Sequence, residues 1–357
     1  DIARAIDSVG GQMDAFTAKE HTCFYVSVLD EHLEIAAELL ADVLLRPRFA
    51  PGDIEREKAV VFQEIKMVED TPDDLVHDLF LEKVWPGHPL GRPILGRREV
   101  VETLDRDTIL SHFHAEYAPA KITVAVAGNA EHARVVDAFA RRFDGFARPA
   151  AQHASAAPTL LPGVHMVSKP LEQVQVVLGF PGVSDTAPER YALYLLNDIM
   201  GGSMSSRLFQ EVRERQGLVY SVHSGAQQFH DSGVVYLYAG TEAGVLGKVV
   251  KAFLHEAGAL KKDGVTADEL ARAKDHLKGN LMLSLESSSS RMNRLAKQEL
   301  RFGAFHSVDE MLGEIDRVRP DEVEALIHRV LDEEHLCLVT LGPVDKSNLP
   351  REFGAQT

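Results

Sequence analysis

Cysteine is nearly absent from this chain: Cys23 and Cys337 are the two among 357 residues. Both lie in strand-like apolar runs, HTCFYVSVL and HLCLVTLG, so they read as small buried hydrophobes and exclude a disulfide framework. That usage suits a reducing compartment. A cytoplasmic protein is therefore expected, or a periplasmic one if a leader precedes Asp1. Tryptophan occurs once, at Trp85. No run of about 18 apolar residues exists, which excludes a membrane-spanning helix. Positive charge is scarce: 38 Lys and Arg against 54 Asp and Glu leave −16, which argues against nucleic acid as the main partner. No signal-peptide pattern is visible. Asp1 opens directly onto a helical spacing, Ile2, Ile6, Val9, closed by Gly10-Gly11, so a preceding segment is expected.

What is present is a soluble composition, 45% apolar and 26% charged, in a chain long enough for two ordinary cores. The stretch AQHASAAP (151–158) is rich in Ala, Ser and Pro, lacks a period and reads as a linker. The expected division is an N-terminal domain at 1–148, a linker at 149–163 and a C-terminal domain at 164–357. The halves echo each other. LDRDTILSHFHAEYAPAKITVAVAGN (104–129) and VRPDEVEALIHRVLDEEHLCLVTLGP (318–343) match without a gap. Each reads as a capped helix, a short turn and an apolar strand ending in Gly128 or Gly342. Likewise 31–46 corresponds to 243–262, and PGDIEREKAVVFQEIKM to TADELARAKDHLKGNLM (266–282). Strand runs VQVVLGF (174–180) and VVYLYAG (234–240), with the hairpin-like YSVHSGAQQFHDSG before the latter, point to antiparallel neighbours. The expected class is α+β: two similar domains, each an antiparallel sheet with helices packed against it.

One helix raises a question of charge. In IEREKAVVFQEIKMV (54–68), Ile54, Glu57, Val61, Glu64 and Val68 share a stripe at helical spacing. Aligning DIEREK with ELARAK puts Ala273 and Asn280 where the first half has Glu57 and Glu64, so the shared fold does not require the acids. An unpaired buried carboxylate costs several kcal/mol. A cationic partner, a raised pKa or a metal resolves that cost. A slight rotation of the stripe, bringing both acids to solvent or to Arg and Lys, resolves it as well.

The surrounding motifs narrow the choice. GGQMDAFTAKEHTCFY (10–25), the helix IEREKAVVFQEI, PGHPLGRPILG (86–96) and GGSMSSRLFQEVRERQGLVYSV (201–222) together resemble the pitrilysin and mitochondrial-processing-peptidase family of zinc peptidases, in order and over nearly the whole chain. The resemblance implies a metalloenzyme fold of two such domains facing a cavity. It also implies a zinc endopeptidase acting on extended peptides or unfolded segments, and pairing as a homodimer or with a homologous chain. The family's metal site is H-x-x-E-H on a helix plus a later Glu. By resemblance that Glu is Glu64, with Glu57 supporting it. Residues 12–17 resemble the edge strand that takes up substrate as an added strand, with Asp14, Ala15, Phe16 and Thr17 as contacts. Asp14 stands where the family has Asn; an acid lacks the amide donor, which reads either as a preference for basic substrates or as a tolerated Asn-to-Asp exchange. Arg213 and Tyr220 match the family's Arg/Tyr pair, which holds substrate backbone and steadies the oxyanion. The bland alternatives are a surface cation and a strand core residue.

No H-x-x-E-H occurs in these 357 residues. The remaining zinc ligands are expected upstream of Asp1; the rival reading is a non-catalytic partner subunit that binds peptide or scaffolds an active homologue. A structural component of a respiratory complex is a further rival, against which the retention of Glu57, Glu64, Arg213 and Tyr220 speaks. Trp85, the HPLG turn (88–91) and His223 read as architectural. Gly201-Gly202 reads as a helix end rather than a phosphate cradle, since no basic P-loop pattern follows.

Overall fold

Helices form where the i, i+3, i+4 apolar spacing is bracketed by a stop or a cap. The computed structural model describes residues 2–147, 149, 156–350 and 353. The first half runs α1 (Ile2–Asp7), β1 (Gln12–Thr17), β2 (Thr22–Ser27), α2 (Leu33–Leu45), α3 (Pro51–Glu69), α4 (Pro72–Val84), α5 (Arg98–Thr103), α6 (Arg106–Glu116) and α7 (His132–Phe143). The second opens with β3 (Gly163–Ser168), β4 (Val174–Pro181) and α8 (Arg190–Asn197), which continues as a π turn over Asp198–Gly202. A second π segment, Phe209–Arg215, precedes β5 (Val219–Gln228) and β6 (Gly233–Thr241). Then follow α9 (Leu246–Asp263), α10 (Ala267–Ser284), α11 (Ser288–Phe302), α12 (Val308–Arg317), α13 (Pro320–Val330) and β7 (Cys337–Gly342). Capping follows local chemistry: the Asp105 carboxylate accepts from Thr108 N–H ahead of α6, and Ser307 with Glu310 forms a capping box on α12.

The chain divides into two compact units, each assembled from three stretches. One comprises Asp1–Ile65, Ile94–Ser155 and Ser284–Phe305; the other Lys66–Pro93, Ala156–Leu283 and His306–Thr357. A contiguous division at 148 and 164 misses this exchange: α4 belongs with the C-terminal sheet, and α11 with the N-terminal elements. Residues 150–155 of the expected linker lie outside the described residues.

The C-terminal unit holds a five-stranded sheet in the order β3-β7-β4-β6-β5. Its pairings are antiparallel except β3 with β7, which run parallel with Gly163 opposite Cys337. The sheet is therefore mixed, where antiparallel pairing was expected throughout. Both faces are covered, so the strands read as near-continuous apolar runs. On one face α8, α9 and α13 bury Leu193, Leu196, Phe253, Leu326 and Ile327. On the other, α4 buries Val76, Phe80, Val84 and Trp85 against Val177, Val339 and Leu341. Gly179 makes that approach possible: a Cβ there would overlap the Phe80 ring.

One ion pair locks the base of this unit. Arg207 meets the Glu269 carboxylate in a bidentate grip, Nε to Oε1 at 2.7 Å and Nη2 to Oε2 at 2.9 Å. Thr266 donates to the same carboxylate from its N–H at 2.8 Å and its hydroxyl at 2.9 Å. These donors, Arg207 first, pull the Glu269 carboxyl down to about 2. A depressed folded-state pKa contributes stability above the ordinary carboxylate value, and that contribution is lost as pH falls towards 2. Glu269→Gln is expected to lower stability at pH 7 by about 2 kcal/mol. Denaturant melts of the two proteins at pH 7 and pH 3 should show the gap narrowing at the lower pH.

The N-terminal unit is built differently. Its sheet has two strands, β1 and β2, antiparallel with Asp14 opposite Tyr25. The expected strand at 122–127 is a correction: Ile122 is extended, yet Ile122–Ala127 joins no ladder. A strand needs a hydrogen-bonded neighbour. β7, its counterpart, lies between β3 and β4, and no described strand of the N-terminal unit plays their part.

Candidate functional site

Helix α3 carries the two acids. Pro51 at its start and Asp53 in its first turn suit a helix N-terminus. Ile54 is its one fully buried residue. Lys58, Val61, Phe62, Ile65 and Val68 are half-buried, as is Glu64, whereas Glu57 is exposed. The buried stripe therefore runs through Lys58, Phe62 and Ile65 rather than through Glu57. The Arg98 guanidinium of α5 stacks on the Phe62 ring at 4.3 Å, and the Lys58 ammonium donates to Glu102 carbonyl at 3.3 Å and to Glu55 Oε1 at 3.0 Å. Docking of α5 on that side turns the helix. The inward-pointing pair expected from spacing is thus corrected: Glu57 faces solvent and Glu64 sits on the flank of the stripe. Among the described residues neither carboxylate has a hydrogen-bond or ion-pair partner.

Two helical turns, about 10 Å of rise, separate Glu57 from Glu64, so one small ion takes one of them directly. Among the described residues no group of three or more His, Cys, Asp or Glu side chains could hold a metal ion. The described donor set therefore does not by itself fit zinc; Glu64 offers one carboxylate.

Strand β1 is exposed along almost its whole length, and among the described residues its far edge carries no partner strand. Asp14 accepts from Ala15 N–H at 2.8 Å through Oδ1 and from Tyr25 Oη at 3.3 Å through Oδ2. Both oxygens are thus engaged locally and the carboxylate is held at the strand surface. Phe16 and Thr17 are exposed on the same strand. The Phe16 ring meets His21 edge-on at 5.9 Å. Burial, then Lys297 and Arg301, hold the His21 imidazole below its ordinary pKa.

In the C-terminal unit the π segment Phe209–Arg215 ends in a turn at Gly217, where φ is +60°. The N–H of Gly217 donates to Arg213 carbonyl at 3.1 Å and that of Leu218 to Val212 carbonyl at 3.0 Å. The chain then enters β5 with a register shift between Val219 and Ser221. Tyr220 is the bulged residue, and its side chain is 80% exposed. A bulge of this kind re-aims a side chain out of the ladder. Tyr220 is therefore no strand core residue. The Arg213 guanidinium lies 4.6 Å from the Phe209 ring centroid and 5.1 Å from that of Tyr220. It holds Tyr220 in place by cation–π contact. Phe209 escaped sequence reasoning; its signal is the i, i+4 spacing to Arg213.

A second cluster was also unforeseen. His223 lies 4.7 Å from the Tyr238 ring, and His77 on α4 lies 4.9 Å from Tyr236 and 5.2 Å from Tyr238. His223 packs in this aromatic cluster, and its partner on α4 is far away in the sequence. Cys337 is buried and Cys23 half-buried, both as free thiols. Burial pushes the Cys337 thiol up to about 12.

The fold agrees with solved structures described as a peptidase M16 inactive domain from Pseudomonas fluorescens and a protease from Helicobacter pylori. The first has a TM-score of 0.88 at 21% identity, covering 96% of this chain and 83% of that one. The second has 0.85 at 20% identity, covering 95% and 84%. The chain belongs to peptidase family M16. Residues 1–98 match the family described as insulinase (peptidase family M16), and residues 103–277 the peptidase M16 inactive domain. Relatives named uncharacterized zinc proteases include one from Bacillus subtilis, 38% identical over 98% of this chain and 85% of its own length. Another, from Mycobacterium leprae, is 40% identical over 99% and 80%. Among the described residues no helix is long and apolar enough to cross a membrane.

Proposed function

We propose that this chain works in a zinc-dependent endopeptidase that cleaves extended peptides or unfolded segments. The observation that supports this most is the bulged, solvent-facing Tyr220 with Arg213 stacked against it. A phenol held outside its own sheet by a guanidinium is poised for a ligand rather than for packing. Strand β1 would receive the peptide by backbone pairing along its open edge, with Asp14, Ala15, Phe16 and Thr17 as contacts. Arg213 would hold the peptide backbone, and the Tyr220 hydroxyl would donate to the oxygen that gains charge as the scissile carbonyl is attacked. Glu64 would lend one carboxylate to zinc, with Glu57 supporting from the next turns and the histidine donors upstream of Asp1. Zinc, when bound, supplies an activated water. Association with a second homologous chain completes the reading.

Tyr220→Phe is expected to lower kcat about 100-fold with little change in KM, since the donor acts as charge develops. Arg213→Ala is expected to raise KM for the same peptide. Steady-state kinetics on protein from the complete coding sequence reads both. A kcat unmoved by Tyr220→Phe overturns the oxyanion role.

The alternative, a non-catalytic partner subunit that binds peptide or scaffolds an active homologue, draws on one observation: among the described residues no three metal donors converge. H-x-x-E-H encoded upstream of Asp1 favours the peptidase, and its absence favours the subunit.

A further inference from the structure

The face of the C-terminal sheet beneath α4 holds three imidazoles: His77 from α4 itself, His223 from β5 and His165 from β3. Polar atoms there are left over. Among the described residues His77 Nδ1, His165 Nε2 and Trp85 Nε1 are buried without a hydrogen-bond partner. His77 and His223 lie 6.2 Å apart, enclosed by the rings of Tyr236 and Tyr238. The Tyr238 hydroxyl is committed to Gln175 Oε1 at 2.8 Å. Around them the charged groups are few. On α4, Asp73 favours a charged His77 and acts with Asp74 on Tyr238, while Lys83 opposes charge on His165. On the strands, Tyr236, Tyr238 and Cys337 are all held neutral by burial. A proton added to either imidazole thus enters an aromatic layer that disfavours charge, and on His77 the His223 imidazole repels it while the exposed Asp73 attracts it.

We propose that His77 and His223 form a pH-sensitive latch that holds α4 on the sheet while neutral and releases it when they are protonated. Burial keeps both imidazoles below their ordinary pKa, His77 down to about 4. A depressed histidine pKa stabilises the docked state fully above the unfolded value near 6.5 and progressively less as pH falls towards 4. Protonation therefore weakens the latch between those limits.

Trp85, the sole tryptophan, closes α4 and is 2% exposed against Phe229 at 5.4 Å, so its fluorescence reports docking wherever ellipticity is retained. Lowering the pH of the intact protein from 8 to 4 is expected to shift Trp85 emission to the red reversibly, with a midpoint between 6.5 and 4. Far-UV ellipticity should be retained through that shift. In H77F/H223F, whose rings suit the aromatic layer, the midpoint is expected to fall by about one pH unit or more. H77Q, which removes one titrating group and keeps a polar side chain, must move the midpoint in the same direction. The latch is overturned if Trp85 emission changes only where ellipticity collapses, or if the variants titrate at the wild-type pH.

Discussion

Phe80→Ala is expected to destabilise the C-terminal unit by about 4 kcal/mol, the upper range for removing a fully buried ring. Phe80 is 1% exposed and fills a hollow over Gly179. Nothing nearby can move in to fill the space. Gly179 has no side chain, and its strand is hydrogen-bonded on both sides, to β6 and β7. The cavity persists, and a persistent cavity costs more than the transfer of its lost atoms. Urea melts followed by Trp85 fluorescence and by ellipticity would read the loss. A change below about 1 kcal/mol would mean that α4 lies outside the cooperative unit. Gly179→Ala tests the same contact from below, because its new methyl group meets the Phe80 ring.

The helices were legible because their periodicity and caps are local. The paired patterns at 31–46 and 243–262, at 51–68 and 266–282, and at 104–116 and 318–330 all became helices in the expected places. Strands β4, β5 and β6 were legible for the same reason, since alternation and a short turn mark a hairpin. Three features were not, and each depends on something distant. Whether 122–127 forms a strand depends on neighbours that the segment does not encode. The parallel β3–β7 pairing joins the two ends of the C-terminal unit. The docking of α4 on the C-terminal sheet depends on the glycine hollow that receives Phe80, and no local spacing records that.

The candidate site divides in the same way. Arg213 and Tyr220 were marked by the motif around them, and their stacking and the bulge add the physical reason for their exposure. The acids of α3 were marked by spacing, by the repeat and by the motif, and a slight rotation of their stripe left their orientation open. In the structure the buried side runs through Lys58, Phe62 and Ile65, where the Arg98 guanidinium stacks on Phe62. Glu64 is half-buried although Glu57, only about 20° away around the helix axis, is exposed.

Glu64→Gln is therefore the substitution expected to change function most. A half-buried carboxylate with no partner among the described residues keeps its full capacity for a cation. The amide that replaces it has nearly the same shape but no charge, so helix and packing should persist while metal affinity collapses. Loss of a group that merely orients a ligand costs 10–100-fold, so loss of the ligand itself is expected to cost at least about 1,000-fold in peptidase activity. In protein made from the complete coding sequence, bound zinc per chain should fall from about one to near zero by elemental analysis, with ellipticity unchanged. Glu57→Gln, on the exposed face, should retain zinc and lose activity more modestly. Equal zinc in wild type and Glu64→Gln would remove Glu64 from the metal site and leave its exposure on α3 as ordinary surface charge.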